Sequence, residues 1–152
     1  MDEFAIADGY LDSGEPEKSI PIFRKLAENG GVSAMHSYAH CHLYGIGVER
    51  NYDIAFEWFT RAAAKGCPQA MYHLGMCNAE GYGTAKNPSL AVDWYKKSAA
   101  RGDEDAEYRV GLCYEQGVGT PPNREKAVEW YRLAAGHGQR DAEARLNELG
   151  AR

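Results

Sequence analysis

The stretch AEYRVGLCYEQGVG (residues 106–119), continued by NREKAVEWYRLAAGHG (residues 123–138), decides the fold, because most of its distinctive residues have a copy 36 positions earlier. Ala106 follows Ala70 and Ala34 at that spacing, and Ala142 follows Ala106. The same step relates Cys41, Cys77 and Cys113, then Gly45, Gly81 and Gly117, then Gly47, Gly83 and Gly119. It continues through Asn51, Asn87 and Asn123, Ala55, Ala91 and Ala127, Trp58, Trp94 and Trp130, and Ala63, Ala99 and Ala135. A fixed period of this length marks a repeat architecture, in which one unit cannot bury its apolar face alone and neighbours stack to form a continuous core.

Within a unit the small and apolar residues recur at helical spacing, as in Ala106, Val110, Cys113 and Tyr114, and again in Ala127, Trp130, Tyr131, Ala134 and Ala135. Each unit therefore reads as two helices. Between them, Gly117-Val118-Gly119 supplies residues that take positive φ at a helix end without a Cβ penalty. Asn123 and Asn87 open the second helices as capping residues, with Pro88 at a first-turn position where no donor is lost. A basic residue before glycine, at Lys65-Gly66, Arg101-Gly102 and His137-Gly138, suits a helix C-terminus. The units then run 31–66, 67–102 and 103–138.

Residues 1–30 read as a degenerate fourth unit, since Ile22-Phe23 and Ala27 through Gly30 lie 108 positions, or three periods, before Trp130-Tyr131 and Ala135 through Gly138. Its inter-helix loop is shortened to Asp12-Ser13-Gly14-Glu15-Pro16. Residues 139–152 repeat only a first helix and cap the stack. The fold class is thus all-α: a single solenoid domain of stacked helix-turn-helix repeats over residues 1–152, with 44% hydrophobic residues to build its core.

The excess of 22 acidic over 17 basic residues gives a net charge of −5, which opposes attraction to phosphate backbones and anionic lipid. Neither nucleic acid nor a membrane is an expected partner. Met1-Asp2-Glu3-Phe4-Ala5 lacks the basic start and apolar run of a secretory signal, and no stretch approaches the ~18 apolar residues of a membrane span. The expected location is cytoplasmic, or periplasmic if a signal has been removed.

The run Ala106-x3-Val110-Gly111-x-Cys113-Tyr114-x2-Gly117-Val118-Gly119, then Lys126-Ala127-x2-Trp130-Tyr131-x2-Ala134-Ala135-x2-Gly138, resembles the Sel-1-like repeat, a relative of the tetratricopeptide repeat. The resemblance covers about residues 31–149, and residues 1–30 are closer to the tetratricopeptide form. Ala39 departs from it where glycine is expected, as do His42 and Asn78 where Tyr114 keeps the aromatic. The resemblance implies a right-handed superhelix whose first helices line a concave face that binds proteins or peptides. It also implies no intrinsic enzymatic activity, in a family of adaptors, assembly scaffolds, signalling components and, in some bacteria, immunity partners of secreted toxins.

Several residues invite a chemical reading. Cys41, Cys77 and Cys113 share one column and read as small buried hydrophobes, with Cys67 alone in a turn. Equivalent helices about 8–10 Å apart cannot bring that column within the ~7 Å Cα limit for a disulfide, so a reducing compartment fits. The cysteine-rich secreted relatives carry a pair in each repeat, which this sequence lacks. His36 and His40 lie four residues apart on one helix, with His42 and His73 expected nearby, which makes a transition-metal site conceivable. No Cys-x2-Cys or His-Glu-x2-His accompanies them, so the histidines read as polar surface and no metal or other cofactor is assigned. The Gly-x-Gly loops lack the preceding strand and further residues of a phosphate-binding motif, and no local nucleophile signature appears. The tryptophans recur at core spacing, so Trp94→Ala is expected to cost about 3–5 kcal/mol.

Identical columns are explained by packing, so partner-specific information is sought where units differ. On the first helices, alanine at offset zero with apolar residues at offsets four and seven defines the buried face, leaving offsets two, three and six outward. These are His36, Ser37 and His40, then Tyr72, His73 and Met76, then Tyr108, Arg109 and Leu112. Tyrosine, arginine and methionine suit an interface with a peptide or protein loop, although Tyr72, Met76 and Tyr108 have the alternative of packing between neighbouring helices. Asp103-Glu104-Asp105 and Glu143 either steer a basic partner or only start and solvate helices. The expected function is a non-enzymatic adaptor or scaffold, or an immunity protein, binding a partner protein along these nine residues as a monomer. The alternatives are a small hydrolase or metal-binding enzyme on the solenoid, or a structural homo-oligomer.

Overall fold

The computed structural model describes residues 2–151. The first residue of the N-terminal unit and the last of the capping segment lie outside the described residues. Among those described, the chain forms helices and no strand: α1 (Glu3–Asp12), a short 3-10 turn (Pro16–Lys18), α2 (Ser19–Glu28), α3 (Val32–Tyr44), α4 (Tyr52–Ala64), α5 (Pro68–Glu80), α6 (Pro88–Ala100), α7 (Glu104–Gln116), α8 (Arg124–Gly136) and α9 (Arg140–Glu148). Each helix packs chiefly on those before and after it, which makes the molecule an α-solenoid of stacked hairpins. No helix among the described residues is long and apolar enough to cross a membrane.

The repeated loop residues set the hairpin geometry. Gly45, Gly81 and Gly117 end the first helices in the left-handed region, and the asparagines at 51, 87 and 123 accept the backbone N–H of Ile54, Leu90 and Lys126 at 3.0, 3.1 and 3.0 Å. Gly83 does more than turn the chain, because a Cβ there would lie 2.4 Å from the Tyr52 carbonyl oxygen of the preceding unit. The loop of one unit thus seats against the α4 start of the one before, and this contact fixes how successive hairpins stack.

Two columns meet at the centre of the core. The Tyr95 and Tyr131 rings press against Gly75 and Gly111 of the preceding helix, where any Cβ would come within 2.4 and 2.5 Å of a ring atom. Phe59, Tyr95 and Tyr131 are fully or almost fully buried, as is Phe23 of the N-terminal unit. The tryptophans expected there do not share this place: Trp58 is buried, but Trp94 and Trp130 are only half-buried. A cation covers the outer side of two of the indoles, Arg61 over Trp58 at 4.4 Å and Lys97 over Trp94 at 4.5 Å. The core position belongs to the next residue along.

The cysteine column is buried at Cys41 and Cys77 but half-buried at Cys113, and all four thiols are free. Burial pushes the Cys41 thiol up to about 11 and the Cys77 thiol up to about 12, so both stay protonated and inert. Glu107 is a buried carboxylate in a column that the two preceding full units fill with Met35 and Met71. Its partner is His137 Nδ1 at 2.7 Å, thirty residues away at the end of α8.

Candidate functional site

The first helices stand side by side and join through their outward residues. His36 of α3 meets His73 of α5 at 3.2 Å, Arg109 of α7 reaches Tyr72 of α5 at 3.3 Å, and Arg145 of α9 donates through Nε to Glu115 of α7 at 2.9 Å. All nine expected groove residues, His36, Ser37, His40, Tyr72, His73, Met76, Tyr108, Arg109 and Leu112, are half-buried. Each therefore keeps part of its surface open, neither core nor fully exposed. Tyr72, Met76, Tyr108 and Leu112 also pack against the C-terminal half of the core, so the packing reading holds for part of each side chain.

At one end of this face His36, His40 and His73 form an aromatic cluster. Ring centroids lie 5.9 Å apart for His36 and His40, 5.0 Å for His36 and His73, and 5.5 Å for His40 and His73. His73 stacks on Phe59 at 4.7 Å with the rings nearly parallel at 3°. Its Nδ1 is 2.8 Å from the Gln69 carbonyl, an acceptor only, so that nitrogen carries the proton and His36 Nε2 faces it as an acceptor. Burial, and then the neighbouring imidazoles, hold His36 down to about 3. Burial holds His73 down to about 4 against the Gln69 hydrogen bond, and also lowers His40. The cluster is therefore uncharged at neutral pH. Among the described residues no group of three or more histidine, cysteine or carboxylate side chains is arranged to hold a metal ion.

His42 does not join this cluster, contrary to the sequence expectation. It lies buried beside Tyr38, at 4.7 Å and edge-on, and neither ring nitrogen has a hydrogen-bond partner among the described residues. Offset eight belongs to the buried face, one turn beyond offset four, whereas offsets two and six point outward. Asn78, at the equivalent place, satisfies itself by donating to the Leu74 carbonyl at 2.9 Å.

The middle of the face is set by Tyr72, Tyr108, Arg109, Met76 and Leu112. Tyr44 adds to it, with half of its surface exposed and its ring 4.7 Å from His40. Sequence reasoning stopped at offset six, yet offset ten lies seven residues beyond offset three and returns to the same face. At the far end, Tyr131 donates its hydroxyl to Glu115 at 2.7 Å and Arg145 bridges Glu115 to Glu148. Arg145 holds the Glu115 carboxyl below its ordinary range.

The acidic run takes a structural part. Asp103 caps α7 by accepting from the Ala106 N–H at 3.0 Å, and Asp105 accepts from Gln139 at 3.2 Å. These contacts favour the helix-start reading of the run over attraction of a basic partner.

Comparison with known proteins agrees with this architecture. The Sel1 repeat pattern matches residues 32–67, 68–103 and 104–139. The crystal structure of a Sel1 repeat protein from Oxalobacter formigenes is similar with a TM-score of 0.86 and 30% identity, over 96% of this chain and 58% of that one. The protein c5321, a protective antigen of uropathogenic Escherichia coli displaying an SLR fold, is similar with a TM-score of 0.84 and 27% identity, over 97% of this chain and 32% of that one. This chain therefore spans little more than half of the first protein and a third of the second. Helicobacter pylori cysteine rich protein B shares the fold, with a TM-score of 0.63 and 19% identity over 95% of each chain. No curated protein matches the sequence. With three repeats matched over most of its length and helices stacked as in these structures, the chain belongs to the Sel1 repeat family.

Proposed function

We propose that this protein is a non-enzymatic interaction module that binds a partner protein or peptide along the face of its first helices. One observation carries the reading: the residues that differ from unit to unit, His36 through Leu112, lie together on one face and keep part of their surface open. Packing explains the repeated columns but gives no reason for tyrosine, methionine, histidine and arginine to share a half-open groove, whereas binding does. Sel1 repeats generally mediate protein interactions, which supports the same reading.

The test is capture from the source cell's lysate with wild type beside a Tyr44→Ala, Met76→Ala, Tyr108→Ala variant, both checked for native circular dichroism. A protein retained by wild type alone supports the groove, and the titrated affinity then separates two uses. A one-to-one complex of about nanomolar affinity marks a neutralising partner such as an immunity protein, and a micromolar one marks an adaptor. Equal retention by both chains sinks the groove reading.

A further inference from the structure

We propose that the middle of the groove receives a carboxylate of the bound segment at Arg109, so that the partner presents an acidic residue between aromatic or aliphatic ones. This rests on the groove reading above and specifies its ligand.

Arg109 and Arg145 are the two half-buried arginines among the described residues, the others being exposed. Arg145 holds Glu115 and Glu148, yet Arg109 makes no ion pair among the described residues, in a chain with 22 acids to 17 bases. Its Nε donates to the Tyr72 hydroxyl at 3.3 Å, and both terminal nitrogens meet no acceptor among the described residues. The groups facing it from the surrounding helices are Tyr44 of α3, Tyr72 of α5, Tyr95 of α6, and Tyr108 and Cys113 of α7. None of them is a carboxylate. Of the acids near these phenols, Glu115 is held by Tyr131 and Arg145, and neither Glu80 nor Asp141 makes an ion pair with Arg109 among the described residues.

A guanidinium half-removed from water among phenols loses hydration without a counter-charge, which is unfavourable unless an anion arrives. Its free terminal nitrogens form the flat fork that matches a carboxylate in two parallel hydrogen bonds. The same face carries Met76 and Leu112, half-buried and apolar, Leu112 one turn along α7 from Arg109, and the uncharged histidine cluster. An acidic side chain with apolar neighbours satisfies all of these surfaces together, and a basic segment satisfies none.

The experiment is selection of a displayed library of random nonapeptides on the full chain, followed by titration of the consensus peptide. The expected result is an Asp or Glu fixed at one position between apolar residues. Arg109→Gln, or amidation of that acid in the peptide, then weakens binding about ten- to hundredfold, and both changes together cost little more than either alone. Selection on Arg109→Glu moves the consensus to Lys or Arg. A consensus without an acid, or two losses that simply add, overturns the proposal. If Tyr44→Ala with Met76→Ala weakens binding while Arg109→Gln leaves it unchanged, the groove stands and the carboxylate falls. If neither matters, or if no peptide is enriched, both readings fall.

Discussion

Acidification should destabilise this protein through its groove. In the unfolded chain histidine titrates near 6.5, whereas the fold holds His36 at about 3 and His73 at about 4. Because these are bases with depressed folded values, the unfolded chain takes up protons that the fold refuses. Their contribution is therefore complete above about pH 6.5 and is lost as pH falls toward about 4. At about pH 5 each ring alone costs about 2 kcal/mol, and the pair together about 3–4 kcal/mol because the rings face each other. That is a large part of the ~5–15 kcal/mol that holds a typical domain together. His40 and His42, also lowered by burial, act in the same direction. His137 acts in the opposite one, since Glu107 raises it and its pairing is stronger in acid. Urea unfolding followed by circular dichroism at about pH 7.5 and about pH 5, on wild type and on His36→Phe with His73→Phe, isolates the pair. Wild type is expected to lose about 3–4 kcal/mol more than the double variant between these pH values. A difference below about 1 kcal/mol would refute the reasoning, and would place both rings in water-like surroundings.

Two substitutions test the frame. Gly83→Ala forces a positive φ on alanine and sets its Cβ 2.4 Å from the Tyr52 carbonyl oxygen, so it is expected to cost about 2 kcal/mol or more. Gly102→Ala has the same sign of φ with open space around the new Cβ and should cost about 1 kcal/mol, so equal losses in thermal unfolding would remove the inter-unit contact from the account. Phe59→Ala should cost about 3–5 kcal/mol and Trp94→Ala roughly half that, and the reverse order would return the tryptophans to the core.

The period of 36, both helices of each unit, their asparagine caps and their glycine ends were all legible, because each depends on local chemistry repeated in every unit. The outward face of the first helices was legible for the same reason: offsets two, three and six follow from helix geometry, and all nine residues are half-buried, which leaves their use untested. The core centre was less so. Adjacent residues such as Trp94 and Tyr95 lie about 100° apart on a helix, and amphipathicity alone does not say which of two aromatics faces inward. The choice is made by the glycine of the preceding helix, Gly75 beneath Tyr95, twenty residues away in sequence. Glu107 was similarly opaque, since its burial depends on His137, and His42 was misplaced because sequence proximity to His40 hides a change of helix face.

The departures from the repeat pattern are concentrated where the first and second full units meet. Phe59 stands where the other units have Tyr95 and Tyr131, and Ala39 where they have Gly75 and Gly111. The face of Phe59 is covered by His73, and His36 lies at 5.8 Å. Without a hydroxyl, Phe59 needs no polar partner of the kind Tyr131 finds in Glu115, and it gives the imidazoles an apolar wall that keeps them uncharged. One junction is thus neutral and aromatic while the next presents Arg109, although both are built on the same backbone. A frame that repeats its core columns is free to vary its outward ones, because a change at offset two, three or six disturbs no packing layer beyond the adjacent unit. On the proposed reading, selectivity resides in the contrast between neighbouring junctions, and a partner that reads both spans at least α3, α5 and α7.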